Sequence, residues 1–237
     1  MTTTDGSLDR VVRAREALQD ALRGADGVDL SFVEEPLDEH GWAGAPDLLR
    51  FLYALVRAVE PRHVLEFGSG VSTVVLAQAA AGLEGTCAIT SVDHDPRFAA
   101  ATAESLGAEA ASVTLQCAPL VARVRAGVLA PCYLVDQGLL GSNRAADLVV
   151  VDGPPLVLGG RDGMLPQALE YAQCGSIIVF DDAGRDCERD AIARWEKQLG
   201  NAVEVHRPDG FARGLAAVIL AAPTTAQIRL SPRAVHP

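Results

Sequence analysis

Glycines and acidic residues fall at strand ends in this chain. The segment VLEFGSGVSTVVLA, residues 64–77, joins an apolar strand to a helix and carries Glu66, Gly68, Ser69, Gly70 and Ser72. The next apolar run closes in ITSVDHDP, where Asp93 is followed by His94. Glycines let a backbone approach a ligand closely, and an acid ending the second strand can accept hydrogen bonds from a ribose diol. Together they describe a pocket for an adenosine-bearing cofactor. A dinucleotide fingerprint, G-x-G-x-x-G, would need a third glycine where this chain has Thr73. A carboxylate at Glu66 would repel a pyrophosphate, yet it could hold a cationic amino group, directly or through water.

Three more acids follow later strands. Asp152 closes DLVVVD, while Asp181 and Asp182 close GSIIVFDD. In a parallel sheet all three emerge at the edge that carries the glycine turn. Clustered carboxylates repel one another unless a cation or a shared proton offsets the repulsion. A hard divalent ion such as Mg2+ would accept these oxygens, keep positions open for a substrate hydroxyl and lower that hydroxyl's pKa. A plainer reading stands beside it. Asp152 would help hold the cofactor's amino group and cap the turn before Pro154-Pro155; Asp181 would orient substrate; Asp182 would cap the helix containing Glu188.

On these residues the chain resembles the class I S-adenosylmethionine-dependent methyltransferases over residues 42–220. The resemblance implies that S-adenosylmethionine is held by Glu66, Gly68, Ser69, Gly70, Ser72 and Asp152, with Asp93 on the ribose hydroxyls. His94 would lie beside adenine or ribose, and the backbone N–H of Ala118 would reach adenine. Asp152, Asp181 and Asp182 match the metal positions of the divalent-metal-dependent small-molecule O-methyltransferases, which makes Asp152 catalytic as well. Catechol-type members place a lysine three residues after the first of these acids; this chain has Pro155 there, so their base does not carry over. His40, in DEHGWAG, is a candidate base by its near-neutral pKa, or else a pocket-wall residue; His206 is a second candidate. Trp42 is read as a lid over cofactor or substrate. Arg161 and Arg185 are read as forks for a substrate carboxylate or phosphate, or as internal partners of Glu188 and Asp186. The expected reaction is methyl transfer to a hydroxyl of a small molecule, aided by Mg2+. The alternatives are metal-independent N-methylation of a small molecule, a nicotinamide enzyme, and a noncatalytic cofactor-binding regulatory domain.

The elements that must position these groups follow from periodicity. Strands are expected over 64–67, 87–92, 112–116, 147–151 and 176–180, with helices over 72–81, 96–106 and 187–199 between or after them. This alternation argues for an α/β fold with a parallel sheet, closed by an antiparallel pair at 202–205 and 215–220. The resemblance implies a Rossmann-like seven-stranded sheet of order 3-2-1-4-5-7-6. Residues 121–124 read as a short helix, and CYLVDQGLL as a strand or small hairpin. An N-terminal helical addition contains a helix over 8–22, with Leu8, Val11, Val12, Leu18 and Leu22 on one side to pack on the domain or in a homodimer contact. Another helix follows from 45 to 59. Trp195 should pack in the core beside Ile192 and Leu199. The chain divides into a tail and helical cap at 1–41, the cofactor-binding domain at 42–220 and an extension at 221–237, where 225–230 could add an edge strand.

Composition narrows the partners. With 237 residues and 49% hydrophobic content, one large core can form. A formal charge of -11 disfavours nucleic acid, and no apolar run approaches the ~20 residues that cross a bilayer. The N-terminus lacks the basic and apolar regions of a secretion signal, and five cysteines without a CxxC pair suit core thiols in a reducing compartment. The expectation is a cytoplasmic enzyme whose partner is a small-molecule acceptor.

Overall fold

The computed structural model of the protein describes residues 3–33, 44–125, 127–136 and 145–222. Helices α1 (Thr3–Gly24) and α2 (Pro46–Val59) lead into β1 (His63–Phe67), α3 (Val71–Ala81), β2 (Ala88–Asp93), α4 (Pro96–Ser105) and β3 (Val113–Cys117). Strands β4 (Leu120–Arg125) and β5 (Val128–Tyr133) come next. They precede β6 (Ala146–Val151), α5 (Met164–Ala168), β7 (Ala172–Phe180), α6 (Asp186–Leu199), β8 (Val203–His206) and β9 (Ala216–Leu220). The main sheet runs β3-β2-β1-β6-β7-β9-β8, with β9 alone running opposite to the other strands. Counting its strands alone, this is the expected order 3-2-1-4-5-7-6.

Successive strand residues point to opposite faces, and each face has its own core. Val64, Leu148, Val150, Ile177 and Val179 pack beneath α1, α2 and α3. Leu65, Phe67, Val149, Val151, Ile178 and Phe180 pack on the other face with α5, α6 and Tyr133. The central strands are therefore largely apolar on both faces, with Glu66 a buried exception on β1. Trp195 lies in the second core, its ring 5.3 Å from that of Phe180.

Residues 121–124 are not helical. They belong to β4, which pairs antiparallel with β5 in a separate two-stranded sheet. The connection between Arg125 and Val128 contains Gly127 at φ +83°, a conformation suited to a tight hairpin. The hairpin thus begins earlier than CYLVDQGLL; among the described residues of that segment only Cys132 and Tyr133 lie in a strand, and 137–140 lie outside the described residues. The buried stripe of α1 also differs: Val11, Ala14, Leu18 and Ala21 face the core, while Leu8 and Val12 are exposed. Small alanines bring the helix close to the sheet. The expected edge strand at 225–230 lies outside the described residues. Among the described residues no helix is long and apolar enough to cross a membrane.

The docking of α1 on β7 depends on Gly175. It has φ +86°, and a Cβ there would lie 2.6 Å from Arg10 Cβ and 2.9 Å from the Arg10 carbonyl oxygen. Gly175→Ala should therefore lower the unfolding free energy by about 2–4 kcal/mol, through backbone strain and displacement of α1. Equilibrium chemical denaturation of the two proteins measures the difference.

Candidate active site

The turn after β1 is built around a buried carboxylate. Gly68 adopts φ +103°, and a Cβ on it would come within 2.9 Å of the Gly153 nitrogen. That close approach lets the β1 and β6 ends meet: the N–H groups of Asp152 and Gly153 both donate to the Phe67 carbonyl at 2.8 Å. Glu66 is fully buried behind the turn. Its Oε2 accepts from the hydroxyls of Thr73 (2.5 Å) and Ser91 (2.7 Å), and Thr73 Oγ1 accepts from the Gly70 N–H at 3.0 Å. Thr73, in the place of a third glycine, thus ties the helix start to Glu66. Burial pushes the Glu66 carboxyl up to about 7, opposed by hydrogen bonds from Ser72, Thr73 and Ser91 and assisted by the charge of Asp93.

Asp93 is held open to the pocket by backbone donors. Its Oδ2 accepts from Ser69 N–H at 2.9 Å, and its Oδ1 from Asp95 N–H at 2.8 Å. His94 Nδ1 lies 3.2 Å from Asp93 Oδ1. Gly68, Ser69, Asp93 and His94 form one wall of a pocket of about 270 Å³; Asp152, Arg161, Asp182 and Arg185 are on its lining too. Ala118 differs from expectation. Its N–H donates to the Asp93 carbonyl at 2.7 Å, a bond that continues the β2–β3 pairing and commits the group meant for adenine. Ser72 is buried in the first turn of α3. His40 and Trp42 lie outside the described residues. His206, on β8, has its Nε2 3.9 Å from Glu204, and buried His63 pairs with Thr90 Oγ1 at 3.1 Å.

The sheet does bring the three later acids together. Asp152, Asp181 and Asp182 each offer an oxygen within 4.8 Å of the others. Arg161, only 2% exposed, reaches into them. Its Nη2 lies 3.0 Å from Asp152 Oδ1 and 2.8 Å from Asp182 Oδ2, and the same guanidinium donates to the carbonyl oxygens of Asp152 and Asp181. Arg185 adds a contact of 2.9 Å to Asp182 Oδ2. Burial pulls the Arg161 guanidinium down, but the charges of Asp152, Asp182, Asp181 and Glu188 outweigh it and raise its pKa. Burial, then the charges of Asp152 and Asp182, pushes the Asp181 carboxyl up to about 7.

The donor chemistry of the trio suits a hard cation, but Arg161 stands where that cation would go. A divalent ion about 4 Å from the guanidinium would be repelled by on the order of 8 kcal/mol even with substantial screening. With Arg161 in place the trio does not fit Mg2+.

Sequence reasoning missed Tyr133, which comes from the hairpin. Its ring stacks on Phe67 at 5.4 Å, and its buried hydroxyl, on the pocket lining, has no hydrogen-bond partner among the described residues. A Cβ on Gly153 would lie 2.2 Å from that hydroxyl, so the glycine makes room for it. Only the tyrosine itself was visible in sequence, because the register of the hairpin sets where its ring points.

Glu66 makes a pH test possible. A carboxyl that holds its proton more tightly folded than unfolded loses stability as pH climbs from its ordinary value through about 7. Glu66→Gln keeps an acceptor for Thr73 and Ser91 without the charge. It should gain on the wild type as pH rises, reaching an advantage of about 2–3 kcal/mol by pH 8. Denaturation midpoints at pH 5 and pH 8 check this.

The fold has relatives among solved structures. The chain is similar to the O-methyltransferase TomG from Streptomyces achromogenes, involved in tomaymycin synthesis and bound to S-adenosylmethionine (17% identity, TM-score 0.55, covering 87% of this chain and 90% of that one). It is similar to the methyltransferase PaMTH1 from Podospora anserina bound to S-adenosylhomocysteine (15%, 0.56, covering 94% and 98%). A third similar structure is an O-methyltransferase from Bacillus cereus in complex with S-adenosylhomocysteine (18%, 0.55, covering 86% and 90%). Among curated proteins none matches the chain. The family described as "Methyltransferase domain" matches residues 65–183, just over half of the chain and the stretch from the glycine turn to the acid trio. The chain therefore belongs to that methyltransferase family and is a class I S-adenosylmethionine-dependent enzyme.

Proposed function

We propose that the enzyme transfers the methyl group of S-adenosylmethionine to a hydroxyl of a small molecule. The observation that carries this is the placement of Asp93 on one wall of the pocket and of Asp152 and Asp182 on the same lining, with the Gly68-Ser69 turn among them. The pocket suits the cofactor: Asp93 is oriented to accept from a ribose diol, and Gly68 leaves no side chain in the way of a close approach. When bound, S-adenosylmethionine supplies an activated methyl; an acceptor oxygen forms the new bond to carbon as the C–S electron pair returns to sulfur. The protein then has to align the acceptor and take its proton. Asp152 and Asp182 are carboxylates on the pocket lining available to take it, with Arg161 and Arg185 paired to them. That two of the similar structures are O-methyltransferases supports oxygen as the atom methylated.

Mg2+ is the finer part of the expectation. Three convergent carboxylates support it, and the guanidinium lodged among them opposes it. Metal-independent methylation of an amine is the second reading, favoured by the same guanidinium. A cytoplasmic setting belongs to the proposal as well; all five cysteines are free thiols.

S-adenosylhomocysteine should raise the melting temperature of the wild type, and NAD should not. Asp93→Ala should weaken S-adenosylhomocysteine binding at least ~10-fold, since charge-assisted hydrogen bonds to the ribose are lost. Isothermal calorimetry measures it. A panel of phenols, alcohols and amines, assayed for S-adenosylhomocysteine release, should show turnover on hydroxyl compounds. Turnover on amines alone would transfer the reading to nitrogen, and tight cofactor binding without turnover would favour the noncatalytic alternative.

A further inference from the structure

We propose that Arg161 is the resident cation of the acid trio, occupying the place of a divalent metal, so that this site works without one. The inference deepens the methyl-transfer reading and rests on it only for what the site does; the binding measurements below stand apart.

Four features support the assignment. First, the guanidinium is shared. It contacts the carboxylates of Asp152 and Asp182 and also the main-chain carbonyls that follow β6 and β7, so it cross-links two strand ends as well as neutralising acids. A planar guanidinium fork presents donors to several acceptors at once, where a lysine would supply a point charge. Second, the side chain is delivered by a built loop. Gly159 and Gly160 take φ +110° and +68°, and a Cβ at Gly159 would meet Pro131 Cδ at 3.0 Å. The Arg161 N–H then donates to Glu188 Oε1 at 3.3 Å. Its neighbour Asp162 pairs with Arg194, and Met164 just beyond is fully buried. Arg161 is anchored at its backbone as well as at its tip. Third, the charges nearly balance. The Asp152 and Asp182 carboxylates meet the Arg161 and Arg185 guanidinia, two charges against two, whereas a dication beside them would add uncompensated positive charge to this pair. Fourth, a guanidinium is a permanent cation covalently part of the chain, which no chelator can remove. It is a positioning residue, holding Asp152 and Asp182 on the pocket lining.

The test is a titration of the full-length, chelator-treated protein with Mn2+, following the electron paramagnetic resonance signal of the free ion. The wild type should bind no stoichiometric Mn2+ below ~1 mM, the weak end for oxygen-ligand sites. Arg161→Ala, which frees the carboxylates, should bind one Mn2+ at least ~10-fold more tightly, and Asp182→Asn in that background should abolish it. Stoichiometric Mn2+ on the wild type, lost in Asp182→Asn, would overturn the proposal. So would the absence of any Mn2+ gain in a folded Arg161→Ala protein. Should circular dichroism show that Arg161→Ala is unfolded, Arg161→Gln replaces it and the wild-type titration still decides. Thermal shift with S-adenosylhomocysteine on the same samples reports the methyltransferase reading separately: a wild type that ignores both Mn2+ and S-adenosylhomocysteine fails that reading and leaves the assignment of Arg161 intact.

Discussion

Mutual repulsion among carboxylates is the constraint around which this site is arranged. A parallel sheet delivers the ends of β1, β2, β6 and β7 to one edge, and each of these ends carries acid: Glu66, Asp93, Asp152, Asp181 and Asp182. Left alone, such a cluster would take up protons or push apart. The fold answers in three ways. Glu66 receives hydroxyl donors from Thr73 and Ser91; Asp93 receives backbone N–H groups from Ser69 and Asp95; Asp152 and Asp182 receive a guanidinium that also binds the main-chain carbonyl of Asp181.

These answers differ in what they leave for a ligand. Glu66 is closed off and braces the glycine turn from behind, so its charge is felt through the turn. Asp93 is steered by two short backbone bonds but remains on the pocket wall, where a ribose diol can reach it. Asp152 and Asp182 share a cation and still line the cavity. Local partners therefore give these acids three different settings: one buried among hydroxyls, one on the pocket wall held by backbone N–H groups, and a pair that shares a guanidinium.

Packing against the edge completes the pocket. The β4–β5 hairpin leans over the sheet and sets Tyr133 on Phe67, with its hydroxyl fitted into space that Gly153 leaves empty. Exposed Leu156 and Val157 extend the wall with apolar surface. The lining thus joins the apolar side chains of Leu156 and Val157 to the ionic groups of Asp152, Arg161 and Asp182.

Much of this was legible in the chain. The strand and helix spans, the glycine turn, and the acids at strand ends follow from periodicity and turn chemistry, which are properties of near neighbours. The short helix assigned to 121–124 failed because four residues carry too little periodic signal to separate helix from hairpin, and pairing with 129–132 decided it. Leu8 and Val12 lay on the expected stripe, but the approach of α1 to Gly175 selected a narrower one. Sequence by itself determined that a cofactor turn and an acidic cluster would share one edge. Only the tertiary structure decided what would neutralise that cluster: Arg161 lies 9 residues from Asp152 and 21 from Asp182, and which chain-distant charges meet depends on strand order and loop path, which no local pattern encodes.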